Sequence, residues 1–350
     1  MYHLIKRLHR TGLLVALAIC IASFQGCAPA PQSDVSNTDD KILIGFSMAT
    51  LKEDRWLQDR DIFTAKAKQA GFDVIVKNAN NDSQLQYEQV ADMIKSGINV
   101  LVIVPHDSED AARAVALAKK AGIPVISYDR LVRDADVDVY ISFNNVRVGQ
   151  VMGEAIKKAV PEGGYIILNG SENDNNSEMF SEGYKSIIQD SIDSGKIKIL
   201  GETWVKDWRR ETAYDYVYGI LQEKGDQVNA IIAANDSLAW AAIDALSVEM
   251  LTDKVKVVGH DADLAACQRI VEGTQLLTVY KPIKYLVDKT LETCTALVKK
   301  QKITADSTID NGLKEIPYIM IDVIPVTKDN IDETVIKDGF HLKEDVYRSK

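Results

Sequence analysis

From Lys41 onward the chain alternates short, almost continuously apolar runs with longer segments whose apolar positions recur at helical spacing. The runs are KILIGFSM, FDVIVKNA, NVLVIVP, IPVISYD and VDVYISF, then GYIILNG, IKILGETW, NAIIAAN, VKVVGHD and LLTVYKP. A run that is apolar at nearly every position reads as a strand covered on both faces, the habit of parallel sheets between helical layers. Intervening segments such as DIFTAKAKQAG and AARAVALAKKAG read as amphipathic helices, with Gly71 and Gly122 placed to stop them. Ten such runs exceed the eight strands of a closed β/α barrel. The expected fold class is therefore α/β, with two doubly wound parallel-sheet lobes.

The halves echo one another. VLVIVP leads through a helix to IPVISYD, and AIIAAN leads through another to VKVVGHD; Pro105 to Asp129 is 24 residues and Asn235 to Asp261 is 26. Open α/β sheets bind ligands beyond the carboxyl ends of their strands, so two facing sheets would line one cleft from both sides. Arg55 and Trp56 follow the first run, Asp129 and Arg130 the fourth, and Asn175 and Asn176 the sixth. Trp208 follows the seventh, Asn235 the eighth, Asp261 the ninth and Lys281 the tenth. Carboxylates and carboxamides that can take two hydroxyls, cations that donate to oxygen, and indole faces that cover C–H groups together suit a neutral polyol. Taken singly, each has a plain structural reading. Asp129 can pair with Arg130, the asparagines can sit in a loop, the tryptophans can be core, and Lys281 can be a solvated strand end. Their coincidence at strand ends in both halves is what points to a ligand.

Charge and composition narrow the field. The net charge is −10, and because the first 26 residues carry Lys6, Arg7 and Arg10 and no acid, the remainder stands at −13. That balance argues against a nucleic-acid partner. MYHLIKRLHR followed by TGLLVALAICIASF reads as a secretion signal whose apolar part is short for a membrane span. Gly26-Cys27 resembles a bacterial lipoprotein cleavage box, although Phe24 and Gln25 depart from its usual residues; a plain signal peptide cut nearby is the alternative. On the first reading residues 1–26 are signal peptide, Cys27 is lipidated, and 27–40 is a polar tether holding an extracytoplasmic protein to the membrane. Cys20 lies in the signal, which leaves Cys267 and Cys294, expected to be free and buried.

Motifs for other chemistry are missing. There is no G-x-G-x-x-G after a strand, no G-x-x-x-x-G-K-[ST], no G-x-S-x-G and no C-x-x-C. Histidines 3, 9, 106, 260 and 341 form no i, i+4 pair. The stretch NANNDSQLQYEQ (78–89) begins like a calcium loop but puts Ser83 where glycine is needed and Gln89 where the bidentate glutamate belongs. Asp129 and Asp261 sit beside cations or carboxamides, which suits ionised acceptors better than a glycosidase acid. No cofactor, no metal and no catalysis are expected.

The motifs YDR, GHDAD and TVYKPI, with RWLQDRDIF, VLVIVPHD, GSENDNNS, AANDSLA and NGLKEIP, make a more specific pattern than any one alone. From about Lys41 to His341 the chain resembles the xylose-binding proteins of bacterial ABC transporters, within the ribose- and galactose-binding group of periplasmic sugar-binding proteins (periplasmic binding protein type I). The resemblance implies two lobes joined by a three-crossing hinge, one of 41–142 plus 282–311 and the other of 143–281 plus 312–344. It implies sugar contacts at Arg55, Asp129, Arg130, Asn176, Asn235, Asp261 and Lys281, with Trp56 and Trp208 against the ring. Residues 48–52 depart from the family's usual acidic run. The function implied is a monomeric, non-enzymatic receptor for an aldopentose, D-xylose above others, that closes about its hinge and delivers sugar to an ABC permease with its ATPase. A receptor that reports sugar to a membrane histidine kinase is the alternative.

Overall fold

A computed structural model describes residues 41–348. The expected signal peptide, tether and lipidated Cys27 lie outside the described residues.

The first lobe opens with β1 (Leu43–Met48), α1 (Asp54–Gln69), β2 (Asp73–Asn78), α2 (Ser83–Lys95) and β3 (Val100–Ile103). It continues through α3 (Ala112–Lys120), β4 (Val125–Tyr128) and β5 (Val139–Phe143). Gly71 and Gly122 adopt φ of +83° and +74° just past α1 and α3, a left-handed turn that costs a residue without Cβ little. The chain then builds the second lobe with α4 (Asn145–Ala159), β6 (Gly163–Asn169), α5 (Asn175–Asp193) and β7 (Ile197–Trp204). A short 3₁₀ turn at Lys206–Trp208 leads to α6 (Arg210–Lys224), β8 (Val228–Ala233) and α7 (Asp236–Val248). The lobe continues through β9 (Lys256–Val258), α8 (Leu264–Glu272) and β10 (Thr278–Tyr280). Next, α9 (Ile283–Val298) returns to pack on the first lobe, followed by β11 (Ser307–Asp310) and β12 (Glu315–Ile321). Finally β13 (Ile324–Val326) and α10 (Lys343–Tyr347) rejoin the second.

The first sheet runs β11-β12-β5-β4-β3-β1-β2, parallel except for the β11–β12 hairpin. The second runs β7-β6-β8-β9, all parallel, and a bridge from Val258 to Leu277 leads on to the antiparallel pair β10–β13. Apolar clusters cover both faces of the first sheet, one with Phe46, Phe63 and Tyr128 under α1 and α9, the other with Val115, Val125 and Tyr140 under α2 and α3. A larger cluster built on β6 and β8 holds the second lobe. In that lobe α4 and α5 touch backbone to backbone. A Cβ on Gly149 would stand 2.1 Å from the Phe180 carbonyl oxygen, and one on Gly183 would stand 2.2 Å from that of Val146.

Three crossings join the lobes: β5 to α4, β10 to α9, and β12 to β13. The first and third lie side by side, since the amide of Asn144 donates to the carbonyl of Ile321 at 3.0 Å. The third crossing corrects the expected boundary. Within β12, residues 318–321 pair in parallel with β5, so the chain leaves the first lobe after Ile321 rather than at 311/312. Strands β11 to β13 were not among the ten apolar runs. β11 is largely exposed, β12 carries Pro317, and β13 has three residues. Cys267 and Cys294 are free and fully buried, one in each lobe, and burial pushes both thiols far up. In the 78–89 stretch, residues 79–82 turn the chain from β2 into α2. Asn78 and Asn80 bond each other, and Asp82 caps α2 by accepting from the amides of Gln84 and Leu85. Among the described residues no cluster of three histidine, cysteine or carboxylate side chains has metal-binding geometry.

Candidate functional site

Between the carboxyl ends of the two sheets lies a small cavity. Nine of the ten residues singled out at strand ends line it: Arg55, Trp56, Asp129, Arg130, Asn176, Trp208, Asn235, Asp261 and Lys281. Glu53, Asp174, Phe180 and His260 line it as well. Asn175, at the start of α5, does not.

Asp129 and Asp261 hold corresponding places. Each follows the last residues of a core strand, and each donates its amide to the next strand, Asp129 to Ile141 at 2.8 Å and Asp261 to Val279 at 2.9 Å. Each also has positive φ, +60° and +102°, a region that a residue with a Cβ enters only at a cost. The surroundings hold both in place. The carbonyl of Asp129 accepts from Tyr140 Oη at 2.9 Å, Ser142 Oγ at 2.5 Å and Asn176 Nδ2 at 3.1 Å. Beyond Asp261, the Ala262 amide donates to Thr278 Oγ1 at 3.0 Å and His341 Nε2 donates to the Ala262 carbonyl at 2.7 Å. The Asp263 amide donates to Asp236 Oδ2 at 3.1 Å. Both strand ends are bent so that their carboxylates turn into the cleft.

The charges form one network. Arg55 donates from Nε and Nη2 to Asp59 Oδ2 at 3.1 and 2.9 Å, and Asp59 Oδ1 accepts from Tyr128 Oη at 2.6 Å. The free end of the guanidinium, Nη1, then stands 2.9 Å from Asp129 Oδ2 and 3.7 Å from Asp261 Oδ1. Lys281 Nζ is 3.1 Å from Asp261 Oδ1. Burial opposes ionisation of Asp261, but Lys281 and Arg55 outweigh it and hold the carboxyl well below its usual range. Burial pushes His260 down to about 3, so its imidazole is neutral. Asp129 and Arg130 do not pair as adjacent charges. Asp129 faces Arg55, while Arg130 Nε reaches across the cleft to Asp174 Oδ2 at 2.8 Å.

The remaining predicted residues divide between ligand-facing and lobe-bridging geometry. Asn235 caps α7 through Oδ1, which accepts from the Leu238 amide at 2.9 Å and leaves its NH₂ group to donate. Asn176 spans the lobes: its Oδ1 accepts from Asn145 Nδ2 at 2.9 Å, and its NH₂ faces Asp129 on the first lobe. Trp56 lies under two guanidinium groups, Arg55 at 4.1 Å and Arg130 at 5.1 Å from its ring centroid. Trp208 packs on Gly170, where a Cβ would fall 2.1 Å from the indole edge. Lys281 stands 5.4 Å from the Phe180 ring, which makes Phe180 a third aromatic wall.

Several buried polar atoms of this lining have no hydrogen-bond partner within the protein: Glu53 Oε2, Asp129 Oδ2, Trp208 Nε1, His260 Nδ1 and Asp261 Oδ1. The two aspartate oxygens have cations nearby but no aligned donor. Acceptors and donors of both kinds therefore converge on one small space, the provision needed for a ligand bearing several hydroxyl groups.

Sequence reasoning missed five residues with roles here, and each carried a signal. Asp59 lies four residues after Arg55 on one helical face, and Phe180 four after Asn176. Asp174 and His260 are near neighbours of residues already chosen. Glu53 stands two residues before Arg55, the same spacing as Asp174 to Asn176.

Known proteins resemble this chain in sequence and in fold. Residues 44–302 match the family described as periplasmic binding protein domain. The chain is 46% identical over 304 residues to the D-xylose-binding periplasmic protein of Haemophilus influenzae, covering 87% of this chain and 92% of that one. It is 40% identical to the D-xylose-binding periplasmic protein of Escherichia coli, covering 91% and 97%. Among solved structures, a carbohydrate transporter solute binding protein of Chloroflexus aurantiacus in complex with D-glucose superposes with a TM-score of 0.83 at 30% identity, over 87% of this chain and 98% of that one.

Proposed function

Because this chain belongs to the periplasmic binding protein family, we propose that it is an extracytoplasmic receptor that captures D-xylose between its lobes and delivers it to an ABC permease. The observation that carries the reading is the set of buried, unpartnered polar atoms converging on the interlobe cavity, with carboxylates, amide and indole donors and cations in one lining. Asp129 and Asp261 accept sugar hydroxyls, Arg55, Lys281 and the Asn235 amide donate to sugar oxygens, and Trp56, Trp208 and Phe180 flank the ring. Arg130 and Asn176 contribute by drawing the second lobe onto the first. Hydrogen bonds to charged groups contribute roughly 1.5–3 kcal/mol each, so a few of them support micromolar affinity, about −8 kcal/mol.

D-Xylose is favoured by the two relatives above, which carry that name and span nearly the whole chain. Closure converts the sugar's hydrogen bonds into a shape that a membrane partner reads. The relatives favour transport over reporting to a histidine kinase, and we do not carry the kinase reading further. Nothing in the site calls for catalysis, since its central carboxylate, Asp261, is held ionised among cations. The anchor at Cys27 rests on the leader sequence alone. Metabolic labelling with palmitate should mark the protein and should fail with Cys27→Ala. Sugar choice is tested by a thermal-shift screen across pentoses and hexoses. D-xylose should raise the melting temperature most, by mass action on the folded state. A larger shift with a hexose contradicts the assignment.

A further inference from the structure

Glu53 immediately precedes α1 and lines the interlobe cavity. A polar side chain at that place commonly accepts from the first free amides of the helix, but Glu53 makes no such bond. Its Oε2 is buried without a hydrogen-bond partner in the protein. The cations of that wall are engaged elsewhere, Arg55 by Asp59 and Asp129, and Arg130 by Asp174. A buried carboxylate oxygen that neither caps its helix nor meets a protein donor is costly unless a donor comes with the ligand.

We propose that Glu53 is a further sugar-contacting and specificity-determining residue, its Oε2 accepting a hydrogen bond from a single hydroxyl of the bound monosaccharide. The inference rests on the sugar-binding reading above and adds to it a second carboxylate acceptor on the first lobe, besides Asp129. An acceptor dedicated to one hydroxyl discriminates against sugars that lack it or carry it in the opposite configuration.

The test is calorimetry on the purified protein and its Glu53→Ala and Glu53→Gln variants, with D-xylose and with the monodeoxy derivatives that lack each hydroxyl in turn. Glu53→Ala should weaken D-xylose binding by about 10- to 100-fold. Glu53→Gln, which keeps a neutral acceptor, should lose less. The melting temperature of the sugar-free variants should be no lower than that of the unsubstituted protein, because the side chain caps nothing and its buried oxygen has no partner. One deoxy sugar should bind the unsubstituted protein more weakly than D-xylose does and lose little more in Glu53→Ala, the non-additivity of two partners in one contact. Unchanged affinity of Glu53→Ala for D-xylose overturns the inference, as does an equal loss for D-xylose and every deoxy sugar. If the unsubstituted protein binds no D-xylose, the sugar reading itself fails, a result distinct from either of these.

Discussion

Asp129 and Asp261 show how much of the site single residues revealed. Each was visible as an acid ending an apolar run, and their agreement in two halves of the chain gave them meaning. Their left-handed backbone was not visible, because it comes from side chains distant in sequence: Tyr140, Ser142 and Asn176 for one, Thr278, Asp236 and His341 for the other. Nor could the sequence tell which charge pairs with which. Arg130 meets Asp174 rather than its neighbour Asp129, a partnership that exists only when two lobes face each other. Gly170 is the residue where a small change should matter most outside the charged set. Gly170→Ala places a methyl 2.1 Å from the Trp208 ring and 2.3 Å from Ser177 Oγ. Overpacking of this kind costs about 1–3 kcal/mol. Chemical denaturation should show that loss, and calorimetry should show weakened sugar binding as the indole is displaced.

At the scale of elements, α1 is the clearest case of a helix that positions a site. Its fourth-residue spacing puts Asp59 behind Arg55, and Tyr128 at the end of β4 closes the other side of Asp59. Burial raises the Asp59 carboxyl to about 6, against an ordinary value of 3.8. Between those values the folded chain holds a proton that the unfolded chain has released, so this group's contribution to stability falls as pH rises from about 4 to 6. Asp59→Asn removes that dependence. Its stability relative to the unsubstituted protein should therefore improve by about 3 kcal/mol from pH 4 to pH 7, measured by denaturant titration at each pH. Its sugar affinity should fall, because Arg55 loses the partner that aims it. A stability gap independent of pH contradicts the assignment. The elements that the apolar pattern missed, β11 to β13, lack what that pattern detects. They are short, exposed or interrupted by Pro317, and tertiary pairing with β5 and β10 makes them strands.

For the whole molecule, the order of ten apolar runs was enough to announce two doubly wound lobes, but the third crossing was misplaced because β12 belongs to the first sheet. The lobes meet through direct bonds as well as through a ligand space. Besides Arg130 and Asp174, the Ser108 amide donates to the Asn173 carbonyl at 2.9 Å, and Asn176 faces Asp129. These contacts favour the closed arrangement, so Asp174→Ala should weaken sugar binding by about tenfold through the closing equilibrium, with Arg130 left buried and unpaired. Small-angle scattering should show that this variant needs more sugar to reach the compact form. A scattering titration indistinguishable from that of the unsubstituted protein would contradict a role in closure.

The central claim is that an interlobe cavity bounded by Asp129 and Asp261 binds D-xylose, and isothermal titration of that sugar into the purified protein tests it most directly. The expected result is saturable binding of one sugar per chain at micromolar or tighter affinity, abolished in both Asp129→Ala and Asp261→Ala while each variant still melts cooperatively. Unaltered binding in both variants, or no binding by the unsubstituted protein, would contradict it.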